Sequence, residues 1–291
     1  MIKNEAKQEI FERYIIGLTA IVVGFTIAII SILGPLGLDI IKYASSESAI
    51  TQGMGQDLVN LVLITPLCLI GGFLYISKRD NAKYFLILIP LYSLLYTGLA
   101  YGLFPEWSHP VYTGNSEQFS VLFYIVIIGS LLLLISTLSM FSPDDAPDFD
   151  KRNLTIYIIL MTIFLVLFAL MWIGEYLEVL TTGDTSTGSY SEAPTIFWVI
   201  RYFDLGITIP LGFIGLYLLY TRTKQAYPVM LLFFGFFVTI SSAVVGMAVV
   251  MLLKNDPNFQ PGGLIIFPIL SILAWVGLLY LIKDKLPWKK S

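Results

Sequence analysis

Two polar pairs in this 291-residue chain are of the right types for charge chemistry within an apolar surround. Asp57 and Asn60 stand three apart, as do Arg201 and Asp204, so on a helix each pair shares one face. A carboxylate beside an amide can hold a cation or carry a proton, and an arginine one turn away would fix the ionisation state of an aspartate. Glu175 and Glu178 repeat the spacing just after Trp172, which would add an acidic vestibule. Trp198 lies one turn before Arg201, within reach of a cation–π contact. Asp57, Asn60, Arg201, Asp204, Glu175 and Trp198 are therefore the candidate ligand-binding residues, with no catalytic residue and no metal ligand among them. Plainer roles compete: Asp57 fits an N-cap after Gly55-Gln56, and the charged set fits a clamp between two parts of the chain.

The elements that must hold these residues are long apolar runs. Hydrophobic residues make up 57% of the chain and charged residues 13%, about half the charge of a soluble domain, and mean hydropathy is +0.81. Eight segments stand out: 14–33, 58–76, 84–104, 120–141, 154–174, 195–220, 227–253 and 263–282. Most reach the roughly 20 residues that cross a bilayer at 1.5 Å per residue. The expected fold is all-α, a polytopic integral membrane helix bundle of eight transmembrane helices. Its first partner is the lipid bilayer. Asp204 lies 16 residues before Tyr220, about 24 Å along a helix, which puts it in the outer quarter of a roughly 30 Å apolar core.

Counts exclude several chemistries. A net charge of −3 gives no field for nucleic acid. Cys68 is the sole cysteine and His109 the sole histidine, so an intrachain disulfide, a CxxC pair, a haem bis-histidine site and a His-rich metal site are all excluded. Every lysine lies outside the apolar runs, which excludes a retinal Schiff base. No cofactor is expected. The run at 14–33 is longer than a signal-peptide core and no A-x-A site follows, so it reads as an anchor.

Orientation follows from the basic residues. Fourteen of the 17 fall on the face shared by the two termini, leaving Lys42, Arg201 and Lys254 on the other. By the positive-inside rule the expected location is the cell membrane, with both termini cytoplasmic.

Self-comparison suggests a duplication. Residues 66–74 (PLCLIGGFL) align with 210–218 (PLGFIGLYL) at an offset of 144, five of nine positions being identical, and Lys78 falls on Arg222 at the same offset. Twice 144 is nearly the chain length. The expectation is a tandem 4+4 repeat, residues 1–146 and 147–291, joined by a polar linker at 142–153. Both units would point the same way, about an axis along the membrane normal. The offset puts Asp57 on Arg201 and Asn60 on Asp204. If the second and sixth segments face each other, Asp57 pairs with Arg201 and Asn60 lies near Asp204. Tyr92, Tyr96 and Tyr101 read as core packing, and Ser242-x-x-x-Gly246 as a small-residue helix contact.

The stretches Gly55-Gln56-Asp57-Leu58-Val59-Asn60-Leu61 with Pro66, and Arg201-Tyr202-Phe203-Asp204-Leu205-Gly206 with Pro210, carry D-L-V-x-L and R-x-x-D-L-G-x-x-x-P-L patterns. In these the chain resembles a group of prokaryotic multi-span membrane proteins. The resemblance implies no particular activity; it marks Asp57, Arg201 and Asp204 above other polar residues.

Three classes of function fit. The first is a transporter or channel for a small solute or cation, with its site between the repeats near the outer face. The second is a non-transporting sensor, assembly or accessory subunit, acting as a homo-oligomer or with a membrane partner. The third is an enzyme acting on a lipid head group through Glu175 and Asp204. No H-E-x-x-H or G-x-S-x-G signature accompanies the third, so the balance is against an enzyme.

Overall fold

Among the described residues, eight helices are long and apolar enough to cross a bilayer: α1 (Ile10–Leu33), α2 (Glu47–Ile76), α3 (Ala82–Leu103), α4 (Ser116–Ser139), α5 (Lys151–Thr182), α6 (Pro194–Thr221), α7 (Thr223–Leu253) and α8 (Gly263–Ile282). The computed structural model describes residues 2–103, 111–183, 190–191, 193–283 and 285, with side chains from residue 10 onward. The fold is all-helical, with no strand among the described residues. His109 lies outside them. Large apolar side chains such as Val62, Ile128, Leu167 and Ile265 point outward from the bundle, as surfaces turned to lipid tails would. These are the features of a multi-pass membrane protein.

Each apolar segment finds its helix, and the difference lies at the ends. α2 begins 11 residues before the apolar run does, capped by the Ser46 side chain accepting from the Ala49 N–H. Its first three turns are polar but largely buried, so low hydropathy there does not mark a loop. Asp57 is consequently in mid-helix and caps nothing. α5 likewise runs on to Thr182, where Gly183 takes the left-handed conformation that ends it.

In the first half, α1 packs on α2 and α4, and α3 packs on the same two. In the second half, α6 packs on α5 and α7, and α7 on α8. Tyr157 of α5 stacks on Tyr280 of α8 at 4.7 Å and donates to the Gly277 carbonyl, joining those two helices. α3 is the most enclosed helix and α7 the next. The halves meet where α7 lies along α2 and α3. Glycine sets the distance at both ends of that seam. A Cβ on Gly55 would stand 2.3 Å from the Met247 Cα, and one on Gly235 2.5 Å from the Leu88 Cα. Gly246 meets Gly55 as the small-residue reading expects, while Ser242, one turn away, accepts from the Trp275 indole at 3.3 Å.

Three helices loosen into i→i+5 coils part-way along: α2 at Asn60–Ile64, α3 at Ser93–Ala100 and α6 at Asp204–Thr208. In α2 the Thr65 N–H reaches the Asn60 carbonyl, and in α6 the Ile209 N–H reaches the Asp204 carbonyl. Pro66 and Pro210 follow at once. A proline ring clashes with the carbonyl four residues back, and one widened turn relieves that clash without breaking the helix.

Candidate functional site

Asp57 and Asp204 are each 1% exposed and Asn60 is fully buried. Asp57 sits on the last tight turn of α2 before its wide coil, level with the ends of α1 and α3. Its Oδ1 accepts from the Ser31 hydroxyl of α1 at 3.0 Å and the Tyr101 hydroxyl of α3 at 2.9 Å. Oδ2 has no hydrogen-bond partner, nor has the Asn60 Nδ2. The Asn60 Oδ1 accepts from Tyr92 and Thr97, both at 3.4 Å, and so weakly. Tyr92 stacks on Tyr96 at 5.8 Å with rings 2° from parallel. Tyr96 then donates to Asp204 Oδ1 at 2.9 Å, where Thr208 also donates at 3.2 Å. The polar track thus runs from α1 through α2 and α3 to α6, and side chains of α3 carry it across.

Arg201 is 5% exposed. Its guanidinium pairs with Glu175 of α5, donates to the Phe197 carbonyl at 3.2 Å, and lies 3.5 Å from the Phe197 ring centre and 4.5 Å from that of Trp172. The expected Asp57–Arg201 pair does not form. α2 and α6 share no packed interface, because α3 and α7 stand between them. Asn60 likewise reaches Asp204 only through the two tyrosines. The cation–π partners of Arg201 are Phe197 and Trp172 rather than Trp198, which packs among Tyr176, Tyr190 and Phe197. Glu175 therefore serves as the arginine's partner, its side chain still 43% exposed.

Tyr92, Tyr96 and Tyr101, polar-tipped aromatics read from the sequence as core packing, do lie in the core, and their hydroxyls are also the donors of the site. Their spacing, with Tyr96 and Tyr101 five apart, was the signal: it puts them on one face only of a wide coil. Ser31 had no signal of its own. Its relation to Asp57 does recur, however: Ser31 and Asp57 are 26 residues apart, as are Glu175 and Arg201, and the second pair is the first moved by 144. Among the described residues no group of three or more His, Cys, Asp or Glu could hold a metal ion. The chain's own donors are hydroxyls, amides and carbonyls around isolated carboxylates, a set suited to protons and hard monovalent cations.

Comparison with protein-family models, with curated proteins and with solved structures finds no match to this chain.

Proposed function

We propose that this protein is a transporter or channel for a small solute or cation, built from two four-helix units, 1–146 and 147–291, with both termini on the cytoplasmic side of the cell membrane. One observation carries the reading: two enclosed carboxylates, Asp57 and Asp204, sit beside widened helix turns in opposite halves and are joined by a hydroxyl and aromatic track. An ionisable group at bilayer depth is costly, and proteins retain it where ions or substrates pass. Such turns also recur at functional sites, because they free backbone carbonyls.

The duplication is supported by position. The wide coils of α2 and α6 begin and end 144 residues apart, and so do the Ser31/Asp57 and Glu175/Arg201 pairs. The halves are not copies in every part, since α3 carries a long wide coil and α7 carries none.

The test is flux in proteoliposomes. Asp204→Asn is expected to abolish movement driven by a pH or cation gradient, and unchanged flux would remove the proposal. The Glu175–Arg201 pair, closed in by Trp172 and Phe197, favours a second reading: a static clamp in a non-transporting subunit. In that case Asp204→Asn lowers thermal stability in detergent while the wild-type protein moves nothing under any gradient.

A further inference from the structure

We propose that Asp57 binds one proton, held between its carboxyl and the Tyr101 hydroxyl, so that the ion this site takes is a proton rather than a metal ion. The assignment follows from a count of hydrogens. The Tyr101 oxygen of α3 stands 2.9 Å from Asp57 Oδ1 and 3.1 Å from the Gly53 carbonyl oxygen. Both are hydrogen-bond lengths, yet a phenol carries one hydrogen, and a carboxylate and a carbonyl carry none. With Asp57 ionised, whichever contact went without that hydrogen would set lone pairs face to face. A carboxylic acid supplies the missing one. Its O–H donates from Oδ1 to the Tyr101 oxygen, Tyr101 donates onward to Gly53, and Ser31 keeps its 3.0 Å bond to Oδ1.

Charge points the same way. Asp57 is 1% exposed and joins no ion pair among the described residues. The groups that face it are neutral. They are Ser31 from α1, Asn60 on its own helix and Tyr101 from α3, with the Tyr92 hydroxyl behind Asn60 and the Tyr43 ring 5.6 Å from that of Tyr101. α7 meets this part of α2 with Gly246 and Met247. Charged residues on the loops nearby are engaged elsewhere or solvated: Lys42 pairs with Asp39, Asp256 accepts from Ser48, and Glu47 and Lys254 are exposed. A carboxylate taken out of water with no countercharge is so costly that the group takes up a proton instead. A proton occupies one lone pair and asks for no cavity.

Asp204 is unlike Asp57 in both respects. Among the described residues Tyr96 donates to Asp204 alone, and the Arg201 guanidinium stands one turn earlier on the same helix. Release of the proton from Asp57 breaks the acid O–H, leaves its electron pair on Oδ1 and passes the proton to water. The Tyr101 hydrogen then turns from Gly53 to Oδ1, so the carboxylate keeps two hydroxyl donors. Tyr101 is thus a positioning residue with two settings, one for each state of the acid.

That the proton is cargo or coupling ion rests on the transport reading above; that Asp57 holds it does not. The experiment is infrared spectroscopy of the full-length protein at neutral pH, in a detergent without ester or acid carbonyls. Wild type is expected to show a carboxylic-acid C=O band that moves in deuterium oxide. Asp57→Asn is expected to lose that band and Asp204→Asn to keep it. Tyr101→Phe is expected to shift it, because the acid hydrogen loses its acceptor. Absence of the band in wild type would overturn the assignment, whether or not any variant folds. So would a band that Asp57→Asn leaves whole, or one that Tyr101→Phe leaves unmoved. In proteoliposomes, the band without collapse of an imposed pH gradient would retain the proton site and remove the transporter. Flux of an alkali cation with no acid band would do the reverse.

Discussion

Tyr96 of α3 donates its hydroxyl to Asp204 of α6 over 2.9 Å, a bond that crosses from the first half of the chain to the second. Both groups are enclosed, so neither has water to fall back on. Tyr96→Phe strips one of two hydroxyl donors from the Asp204 carboxyl, and the expected cost is about 1–3 kcal/mol, that of a buried acceptor left short. Tyr92→Phe, whose bond to Asn60 is 3.4 Å long, should cost less than about 1 kcal/mol. Thermal unfolding in detergent measures both. Equal effects would show that the Tyr96 bond has no special weight.

The seam between the halves gives a sharper contrast. A methyl on Gly55 would meet the backbone at Met247, which cannot turn aside, whereas one on Gly53 meets nothing within 4 Å. Gly55→Ala should therefore destabilise by about 3 kcal/mol or abolish folding. Gly53→Ala should be neutral or stabilise by about 0.5–1 kcal/mol, through helix propensity. Expression and melting of the two proteins side by side decide the matter, and a well-folded Gly55→Ala protein would mean that α2 and α7 are farther apart.

Glu175 and Arg201 form the pair at the rim of α5 and α6. Glu175→Gln leaves the guanidinium without its counter-charge. Water reaches the glutamate side, so the cost should be about 1–2 kcal/mol, below that of a fully enclosed pair. Arg201→Met with Glu175→Met should recover part of the loss. A double-mutant cycle should give a coupling above about 0.5 kcal/mol, and additive effects would dissolve the clamp.

On the opposite rim, Lys83 pairs with Asp145 of the linker and lies 5.2 Å from the Phe141 ring. Partial burial acts to raise the Asp145 carboxyl, but the Lys83 bond and the Ser142 N–H outweigh it and hold the group below the ordinary carboxylate range. A depressed value in the folded state means stability that is present above the unfolded value near 4 and lost as pH falls through the folded one. Asp145→Asn should therefore melt earlier than wild type at pH 7, with the gap closing in acid. A gap that widens in acid would reverse the assignment.

Span number and span type were legible because long apolar runs with charged ends have few alternatives. Helix ends were not. Residues 47–56 are polar yet helical, since their polar groups are enclosed by α7 and the chain around it, as when Ser48 donates to Asp256 at 3.0 Å. Asp57, Asn60, Arg201 and Asp204 stood out by type and spacing, but which residue each meets was not in the spacing. An arginine beside an aspartate on one helix can instead turn to a neighbouring helix, and Arg201 turns to Glu175. The 144-residue offset carried more than it first yielded: applied to Ser31 and Asp57, it points at Glu175 and Arg201.

The long wide coil of α3 has a geometric consequence for the two acids it serves. On a tight helix, five residues turn through roughly 500°, so Tyr96 and Tyr101 would diverge by about 140°. Slackened between Ser93 and Ala100, the same five residues come back to one side, and a single rod can touch Asp57 with one phenol and Asp204 with another. Rewinding that stretch by one residue would swing one phenol off its acid while the other stayed in place. The slack in α3 is thus what lets one helix serve both acids at once.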